Sequence, residues 1–340
     1  MRIISFIRSP QLWATVATFF AFLSVQSCIS MAQTVTWSAP ASGFIFDAVD
    51  GVIRPISGFV GSAVAGPAIM SGIQWAAVAP DQNSALVYRD SALLWVPNLN
   101  QPSQSQTLSS IPEAKQALWA VDSSRAVVLA RDEVVWLDFA NSIPSIQGTW
   151  RLTLHSTEAL HGRPSIAIWS LLATDKPAGT VLLTSGTGAG SQTWIASTTV
   201  PPIAIPFPGL AAAAAFAAAS PAVFIADAAS NQIVRVDDPT GIATITPIMT
   251  SPAYFGDPAG IVLSPDDTHV FGIDRAALVI REFDAVTGAL LNTLEADAAT
   301  RYLRLFTPGL FVLDPAATGE PFLFLGTSEP AQVTFMPRPQ

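Results

Sequence analysis

Side chains able to bind a metal crowd together in one stretch of the chain, HSTEALH, which holds His155, Glu158 and His161. Imidazole and carboxylate groups are ligands that zinc accepts. The spacing of the two histidines does not place both rings on one face of a strand, and the third histidine, His269, is distant in sequence. We therefore expect an exposed polar connection here, with a metal site as the alternative.

Other patterns that could carry chemistry are weaker. Gly186, Gly188 and Gly190 lie in LLTSGTGAGSQTW, but a phosphate-binding loop needs a following helix whose N-terminal amides hold the anion. A strand-like segment follows instead, which favours a hairpin loop. The sequence has no Gly-x-Ser-x-Gly, no His-Glu-x-x-His and no Cys-His pair for nucleophilic chemistry. We predict no catalytic residue, no cofactor and no bound metal.

Aspartates recur at the polar turns between apolar segments. A pair of them could act as general acid and base, or several could bind calcium. Their recurrence at equivalent positions favours a structural role, because an aspartate side chain closes a turn by accepting hydrogen bonds from nearby backbone amides. The residues concerned are Asp81, Asp122, Asp175, Asp227, Asp237, Asp238, Asp266, Asp267, Asp274 and Asp284.

Composition and charge limit the class of protein. Half of the 340 residues are hydrophobic, only 12% are charged, and the net charge is −9. Such a chain folds into a large core. Lys115 and Lys176 are the only lysines, so there is no basic stripe to bind a phosphate backbone. We therefore do not expect the protein to bind nucleic acid.

The N-terminus resembles a secretory signal. Arg2 and Arg8 precede an apolar stretch at 12–25, and small residues before Gln33 fit a signal peptidase site. The apolar stretch is short for a membrane span. We predict a signal peptide at 1–32 and an exported, periplasmic or extracellular, monomeric chain without a membrane span. Lipidation of Cys28, which would anchor the protein to the envelope, is the alternative.

A repeated unit organises the rest of the sequence. Two apolar segments joined by a Pro/Asp/Ser turn recur about every 45 residues, the length of one four-stranded propeller blade. The copies are residues 75–89, 117–131, 168–185, 217–227, 260–274 and 303–314. Further strand-like segments follow each copy, for example ALLWVP, EVVWLD and QIVRVD. The pattern predicts an all-β fold, a β-propeller of four-stranded antiparallel blades.

The alanine-rich run at 210–219 is ambiguous in isolation. Alanine favours helix, but propensity is a weak guide where tertiary context competes. The position of the run in the period is that of the innermost strand, where small side chains let the backbones of neighbouring blades approach. We expect a strand, with a short helix as the alternative.

Two copies resemble known repeat families. VFIADAASNQIVRVDDPTG (223–241) is similar to the NHL repeat, and LSPDDTHVFGIDRAALVIREFDAVTGALLNTLE (263–295) is similar to the YVTN repeat. Residues 43–58 resemble the third and fourth strands of such a unit. The resemblance implies an NHL/YVTN-type propeller, and it implies no particular chemistry.

The length of the chain sets the number of blades. Seven units of about 45 residues fit a single domain at 33–340, and six are the alternative. Propellers commonly close when one end of the chain completes a blade begun by the other, which protects exposed strand edges. We expect such a closure here.

Tryptophans are frequent, and most lie at strand positions. We predict that they pack in the core and between blades, with carbohydrate stacking by an exposed subset as the alternative. Repeats without a catalytic constellation favour a non-enzymatic scaffold that binds a protein or peptide partner. The alternative is a hydrolase or lyase of the propeller lactonase kind, with its site at the central channel mouth.

Overall fold

β-Strands form nearly all the regular structure of the chain, as the short apolar segments predict. The computed structural model describes residues 43–58, 62–131, 133–140, 143–151, 166–171, 180–185, 192–218, 220–248, 255–296, 303–313 and 321–338. Within these ranges there are 27 strands and one turn of 3₁₀ helix at Pro102–Gln104. No described helix has the length and hydrophobicity needed to cross a membrane. The predicted signal peptide and Cys28 lie outside the described residues.

The strands fall into consecutive groups along the chain. The first two groups are β1 (Gly43–Asp47), β2 (Val52–Ser57) and β3 (Val64–Ala65), then β4 (Trp75–Val78), β5 (Ala85–Arg89), β6 (Ala92–Val96) and β7 (Gln106–Thr107). The next two are β8 (Ala114–Trp119), β9 (Arg125–Ala130), β10 (Glu133–Asp138) and β11 (Ser145–Arg151), then β12 (Ile166–Leu171), β13 (Val181–Ser185), β14 (Gln192–Ala196) and β15 (Ile203–Ile205). The fifth is β16 (Ala211–Phe216), β17 (Ala222–Asp227), β18 (Gln232–Asp237) and β19 (Thr244–Pro247). The last two are β20 (Pro258–Leu263), β21 (His269–Asp274), β22 (Val279–Asp284) and β23 (Leu290–Glu295), then β24 (Leu303–Thr307), β25 (Leu310–Leu313), β26 (Phe322–Gly326) and β27 (Gln332–Met336).

Each group is one antiparallel sheet in which sequential strands are neighbours. Six sheets have four strands, and the sheet β1-β2-β3 has three within the described residues. The seven sheets are the blades of a propeller, numbered here in chain order. The prediction of an all-β, seven-bladed propeller is confirmed.

The first strands of blades 2 to 7 form the inner ring, because β4, β8, β12, β16, β20 and β24 contact one another in succession. The alanine run is one of them. β16 pairs with β17, and Ala213, Ala214 and Ala215 are buried. The strand prediction is therefore confirmed. Small side chains suit this strand because the blades converge there, and packing overrides the helix propensity of alanine.

The core consists of apolar clusters between adjacent blades, from blades 1 and 2 round to blades 6 and 7. Phe224 and Phe283, for example, belong to one cluster between blades 5 and 6. A single blade cannot bury both of its faces, so each blade depends on its neighbours.

Blade 1 corrects one sequence interpretation. Residues 43–58 are not third and fourth strands, because β3 pairs with the outer edge of β2. Asp47 ends β1 as Asp227 and Asp274 end the second strands β17 and β21, and each accepts a hydrogen bond from the amide two residues later. β1, β2 and β3 are therefore the second to fourth strands. Among the described residues, none fills the first position of this blade.

Closure of the ring also differs from expectation. Every described sheet takes its strands from one continuous stretch, and blade 7 is complete with four strands from the C-terminal part of the chain. Side chains connect blade 7 to blade 1 instead. Arg338, which follows β27, places Nη2 3.1 Å from the Oδ1 of Asp47, whose side chain is fully buried. An ion pair therefore links blade 7 to blade 1.

Candidate functional site

Two opposite faces of the propeller are built from different connections. Because the strands of each blade are antiparallel, the loops joining first to second strands and third to fourth strands emerge on one face. We call this the loop face. The loops joining second to third strands, and the connections between blades, emerge on the other.

Exposed aliphatic side chains recur on the loop face. Four consecutive blades, 3 to 6, each place one in the loop between the third and fourth strands: Ile143, Val200, Ile242 and Val286. Ile242 is 91% exposed and Val286 is 78% exposed. Val121, in the first loop of blade 3, is also exposed on this face. Isolated exposed aliphatic side chains are common on proteins. Their repetition in equivalent loops makes this face a candidate interaction surface.

Acidic side chains lie in or next to loops of the same face. The described aspartates in or next to the loops of this face are Asp81, Asp122, Asp138, Asp237, Asp238, Asp266, Asp267 and Asp284. Arg125 and Arg235 lie in strands that run to this face, and they pair with Asp138 and Asp237 respectively. The loop face therefore combines negative charge with aliphatic groups.

Turn hydrogen bonds hold several of these carboxylates. Asp81 and Asp122 each accept the amide two residues later. Hydrogen bonds from the Ser264 and Thr268 hydroxyls and the Thr268 amide lower the pKa of Asp266 to about 2. The structural role predicted for these three aspartates is confirmed, and the lowered pKa keeps the Asp266 carboxylate charged in acid down to a pH of about 2.

The same kind of turn stabilises the charge in blade 6. The backbone amide and hydroxyl of Thr287, followed by the amide of Val286, donate to the Asp284 carboxylate and lower its pKa. The charged Asp284 and the exposed Val286 therefore occupy one short loop. Asp175, another predicted turn aspartate, lies outside the described residues.

A groove opens between the outer parts of blades 5 and 6 beside this loop. Its volume is about 470 Å³, within the range of ligand-binding clefts. The lining includes Val286 and Leu290 from blade 6 and Thr246 from blade 5. Arg235 also lines it, with its guanidinium 2.8 Å from the Oδ1 of Asp237. The groove is continuous with the exposed Val286 and can accept a side chain of a bound partner.

The cavity near the axis is much smaller. It has a volume of about 70 Å³, too little for a metabolite, and its lining is mainly aliphatic and aromatic. Gln82 and Arg304 are the polar side chains in this lining. Both are engaged: Gln82 Nε2 donates to the Phe306 carbonyl, and Arg304 donates to the carbonyls of Ala76 and Phe46.

His269 joins blades 6 and 7. Its Nδ1 lies 2.7 Å from the Oε1 of Glu282, which is buried, and its Nε2 lies 3.3 Å from the Oε1 of Glu329. Glu329 belongs to the loop between the third and fourth strands of blade 7. Within the described ranges, no group of three or more His, Cys, Asp or Glu side chains is arranged to hold a metal ion.

The other candidates from the sequence are not placed. His155, Glu158 and His161 lie outside the described residues, as do Gly186, Gly188 and Gly190. Their predicted roles stay predictions.

Tryptophans pack mainly between blades. The Nε1 atoms of Trp75 and Trp119 donate across the boundary of blades 2 and 3, to the carbonyls of Ala114 and Ala77. Trp95, Trp119 and Trp136 are buried. The predicted packing role is confirmed for these four residues.

No family model and no curated protein matches the chain. Hsv2 from Kluyvelomyces marxianus has a similar structure, with a TM-score of 0.53 and 9% identity over 87% of this chain and 98% of that one. The Cps50 (Swd1) β-propeller domain of Myceliophteria thermophila gives 0.49 and 10% over 83% and 94%. The WD40 domain of SCAP from fission yeast gives 0.47 and 12% over 75% of this chain, which spans 62% of that domain. At 9% identity, the likeness to Hsv2 is one of fold alone.

Sequence reasoning missed the aliphatic residues of the loop face. Ile242 and Val286 stand outside the strand-like segments, and the YVTN-like pattern that contains Val286 indicates a turn and no binding role. Aligning the four loops between third and fourth strands would have revealed one aliphatic residue in each. The interblade contacts of Glu282, Glu329 and Arg338 had no such signal, because they join residues that no repeat relates.

Proposed function

We propose that this protein is an exported, non-enzymatic scaffold that binds a protein or peptide partner through the loop face. The observation that carries the proposal is the recurrence of an exposed aliphatic side chain in the same loop of four consecutive blades, among carboxylates. Propeller loops on a rigid framework are suited to binding. The NHL-like and YVTN-like patterns at 223–241 and 263–295 support a propeller of that repeat type.

The charge and the exposed apolar groups of the loop face indicate what kind of partner it would bind. Negative charge favours a basic segment, and exposed aliphatic residues favour a segment that also carries apolar side chains. The groove between blades 5 and 6 would take one such side chain, with Val286 and Leu290 providing the apolar contact. The partner that fits is a basic peptide or protein surface with interspersed apolar residues.

The experiment compares capture by the wild type with capture by two double variants. Ile242→Ser/Val286→Ser removes two aliphatic groups from the loop face. The control, Leu278→Ser/Leu291→Ser, removes two exposed leucines elsewhere, at the turn between β21 and β22 and in the outer strand β23. Partners are captured from the envelope fraction, identified, purified and titrated against each protein.

We expect the loop-face variant to bind the purified partner at least about tenfold more weakly, as when an interface anchor is truncated. The control should bind like the wild type, and binding should weaken with added salt. Equal loss in both variants, or full binding by the loop-face variant, would show that the partner uses another surface.

A further inference from the structure

His269 lies at the loop face with a carboxylate beside each of its two ring nitrogens. Its Nδ1 is 2.7 Å from the Oε1 of Glu282, and its Nε2 is 3.3 Å from the Oε1 of Glu329. The first contact lies within blade 6, and the second crosses to blade 7. The strand register explains the first contact. His269 pairs directly with Asp284, so Glu282, two residues away on β22, is its diagonal neighbour on the same face of the sheet.

The charged side chains that interact with His269 within the described ranges are all acidic. They are Glu282 and Glu329, and Asp284 on the same strand as Glu282. Asp266, in the loop before β21, is bound by hydroxyl groups of its own loop. The two carboxylates beside the ring differ in their access to water, because the Glu282 side chain is 6% exposed and the Glu329 side chain is 80% exposed.

The protonation state of the ring decides how many of these contacts it can make. A neutral imidazole has one N–H and donates to one carboxylate, whereas an imidazolium donates from both nitrogens. His269 therefore binds both carboxylates only when its ring is protonated. When the proton is lost, the remaining N–H stays with Glu282, because a buried carboxylate without a donor costs more free energy than an exposed one. Glu329 then loses its donor and is hydrated instead.

Glu329 belongs to a loop with few other contacts. The loop joins β26 to β27, and its two ends are fixed. The Thr327 amide and hydroxyl donate to the Gly309 carbonyl, and Ala331 is buried in the cluster between blades 6 and 7. Residues 328–330 between these ends are exposed. Among the described residues, His269 is the only one that holds them by a hydrogen bond or an ion pair.

We propose that His269 is a proton-dependent link between blades 6 and 7, which holds the Glu329 loop against blade 6 when the ring is protonated and releases it when the ring is neutral. Histidine is the side chain whose charge ordinarily changes between about pH 5 and pH 8. The loop is therefore held at the acidic end of this range and released at the alkaline end.

Release of the loop changes the charge of the loop face. In blades 3 to 6 the equivalent loop carries an exposed aliphatic residue, whereas the loop of blade 7 carries Glu329. Loss of the proton from His269 removes one positive charge from this face and leaves the Glu329 carboxylate unpaired. A basic partner would then bind more tightly at the alkaline end of the range, a consequence that rests on the proposed function. Hydrogen exchange of the loop needs no partner, so failure of the link and failure of the proposed function are distinguishable.

Hydrogen exchange of the Ser328, Glu329 and Ala331 amides in the full chain tests the link. Rates at about pH 5.5 and about pH 8 are divided by those of an unstructured peptide of the same sequence at the same pH. We expect about two- to fivefold more protection at the lower pH, as for a partly exposed ion pair. Glu329→Ala should abolish this difference. The control Glu295→Ala, which removes an exposed glutamate at the end of β23, should preserve it.

A double-mutant cycle provides a second measurement. His269→Gln, Glu329→Ala and the double variant are unfolded in urea at both pH values, and the coupling of the two side chains is obtained from the four unfolding equilibria. Glutamine can still donate a hydrogen bond to the buried Glu282. We expect a coupling factor of about two to five at the lower pH and none at the higher pH. Equal coupling at both pH values, equal protection of the wild type at both, or pH dependence that persists in Glu329→Ala would overturn the proposal.

Discussion

Replacing Arg338 by methionine tests how the propeller closes. The Arg338 side chain is nearly buried, and its guanidinium lies 3.1 Å from Asp47 Oδ1 and 4.9 Å from the centre of the Phe322 ring. Methionine keeps the apolar stem against the ring but removes the charge. The change leaves the Asp47 carboxylate, which is fully buried, without its partner from blade 7.

The expected loss follows from what remains around Asp47. Removing one partner of a buried ion pair costs about 3–5 kcal/mol when the other charge is left uncompensated. Asp47 keeps Arg54 at 3.6 Å and the amides of Val49 and Asp50 at 3.2 Å and 3.3 Å. We therefore expect the free energy of unfolding to fall by about 2–3 kcal/mol, below the full range because these groups still compensate the charge.

Urea unfolding followed by tryptophan fluorescence measures the effect. A loss of this size lowers the midpoint by about 1 M for a slope of roughly 2–3 kcal/mol/M. The matched control is Arg151→Met, which breaks an exposed pair with Glu133 and should cost about 0–1 kcal/mol. Adding Asp47→Asn to Arg338→Met should cost less than the sum of the single changes. If Arg338→Met unfolds at the same midpoint as Arg151→Met, the ion pair does not close the ring.

Two further predictions concern single residues. Asp266→Asn should lower the stability at pH 7 by about 1 kcal/mol at most, because solvent screens an exposed carboxylate. Since the folded-state pKa of Asp266 is lowered to about 2, its contribution is fully present above pH 4 and disappears as the pH falls towards 2, so melting temperatures of variant and wild type should converge there. A difference independent of pH would contradict this. Ala214→Leu should lower the free energy of unfolding by about 1–3 kcal/mol, because the larger side chain overpacks the inner ring. The control Ala218→Leu, at an exposed turn position, should leave the urea midpoint nearly unchanged. Equal effects of the two changes would mean that the inner ring does not require small side chains.

The period of the sequence predicts most of the fold. Repeats of about 45 residues identify the blades because each blade must present apolar strands at the same places to its neighbours. The period also places the alanines of β16 correctly in the inner ring, where local propensity alone favours helix. Because the packing between blades repeats, the sequence repeats with it. This period predicts the structure better than the helix or strand propensity of a single segment does.

The position of a strand within a blade is harder to predict. FIFD in β1 and FIAD in β17 are both apolar and end in aspartate, and such segments fit several places in a four-stranded sheet. The register decides, because β3 pairs outside β2. A residue-by-residue alignment on Asp47 and Asp227 would have given the correct position, since that aspartate accepts amides of the turn after a second strand.

The exposed aliphatic residues of the loop face could not be predicted, for a different physical reason. A buried residue is constrained by many neighbours and repeats with the fold, whereas Ile242 and Val286 contact solvent and nothing in the core requires them. Folding alone would allow polar residues at these positions, and exposed aliphatics reduce solubility. Their presence in equivalent loops that also carry carboxylates is therefore better explained by the proposed binding role than by stability. The features that folding does not require are the ones that point to the partner.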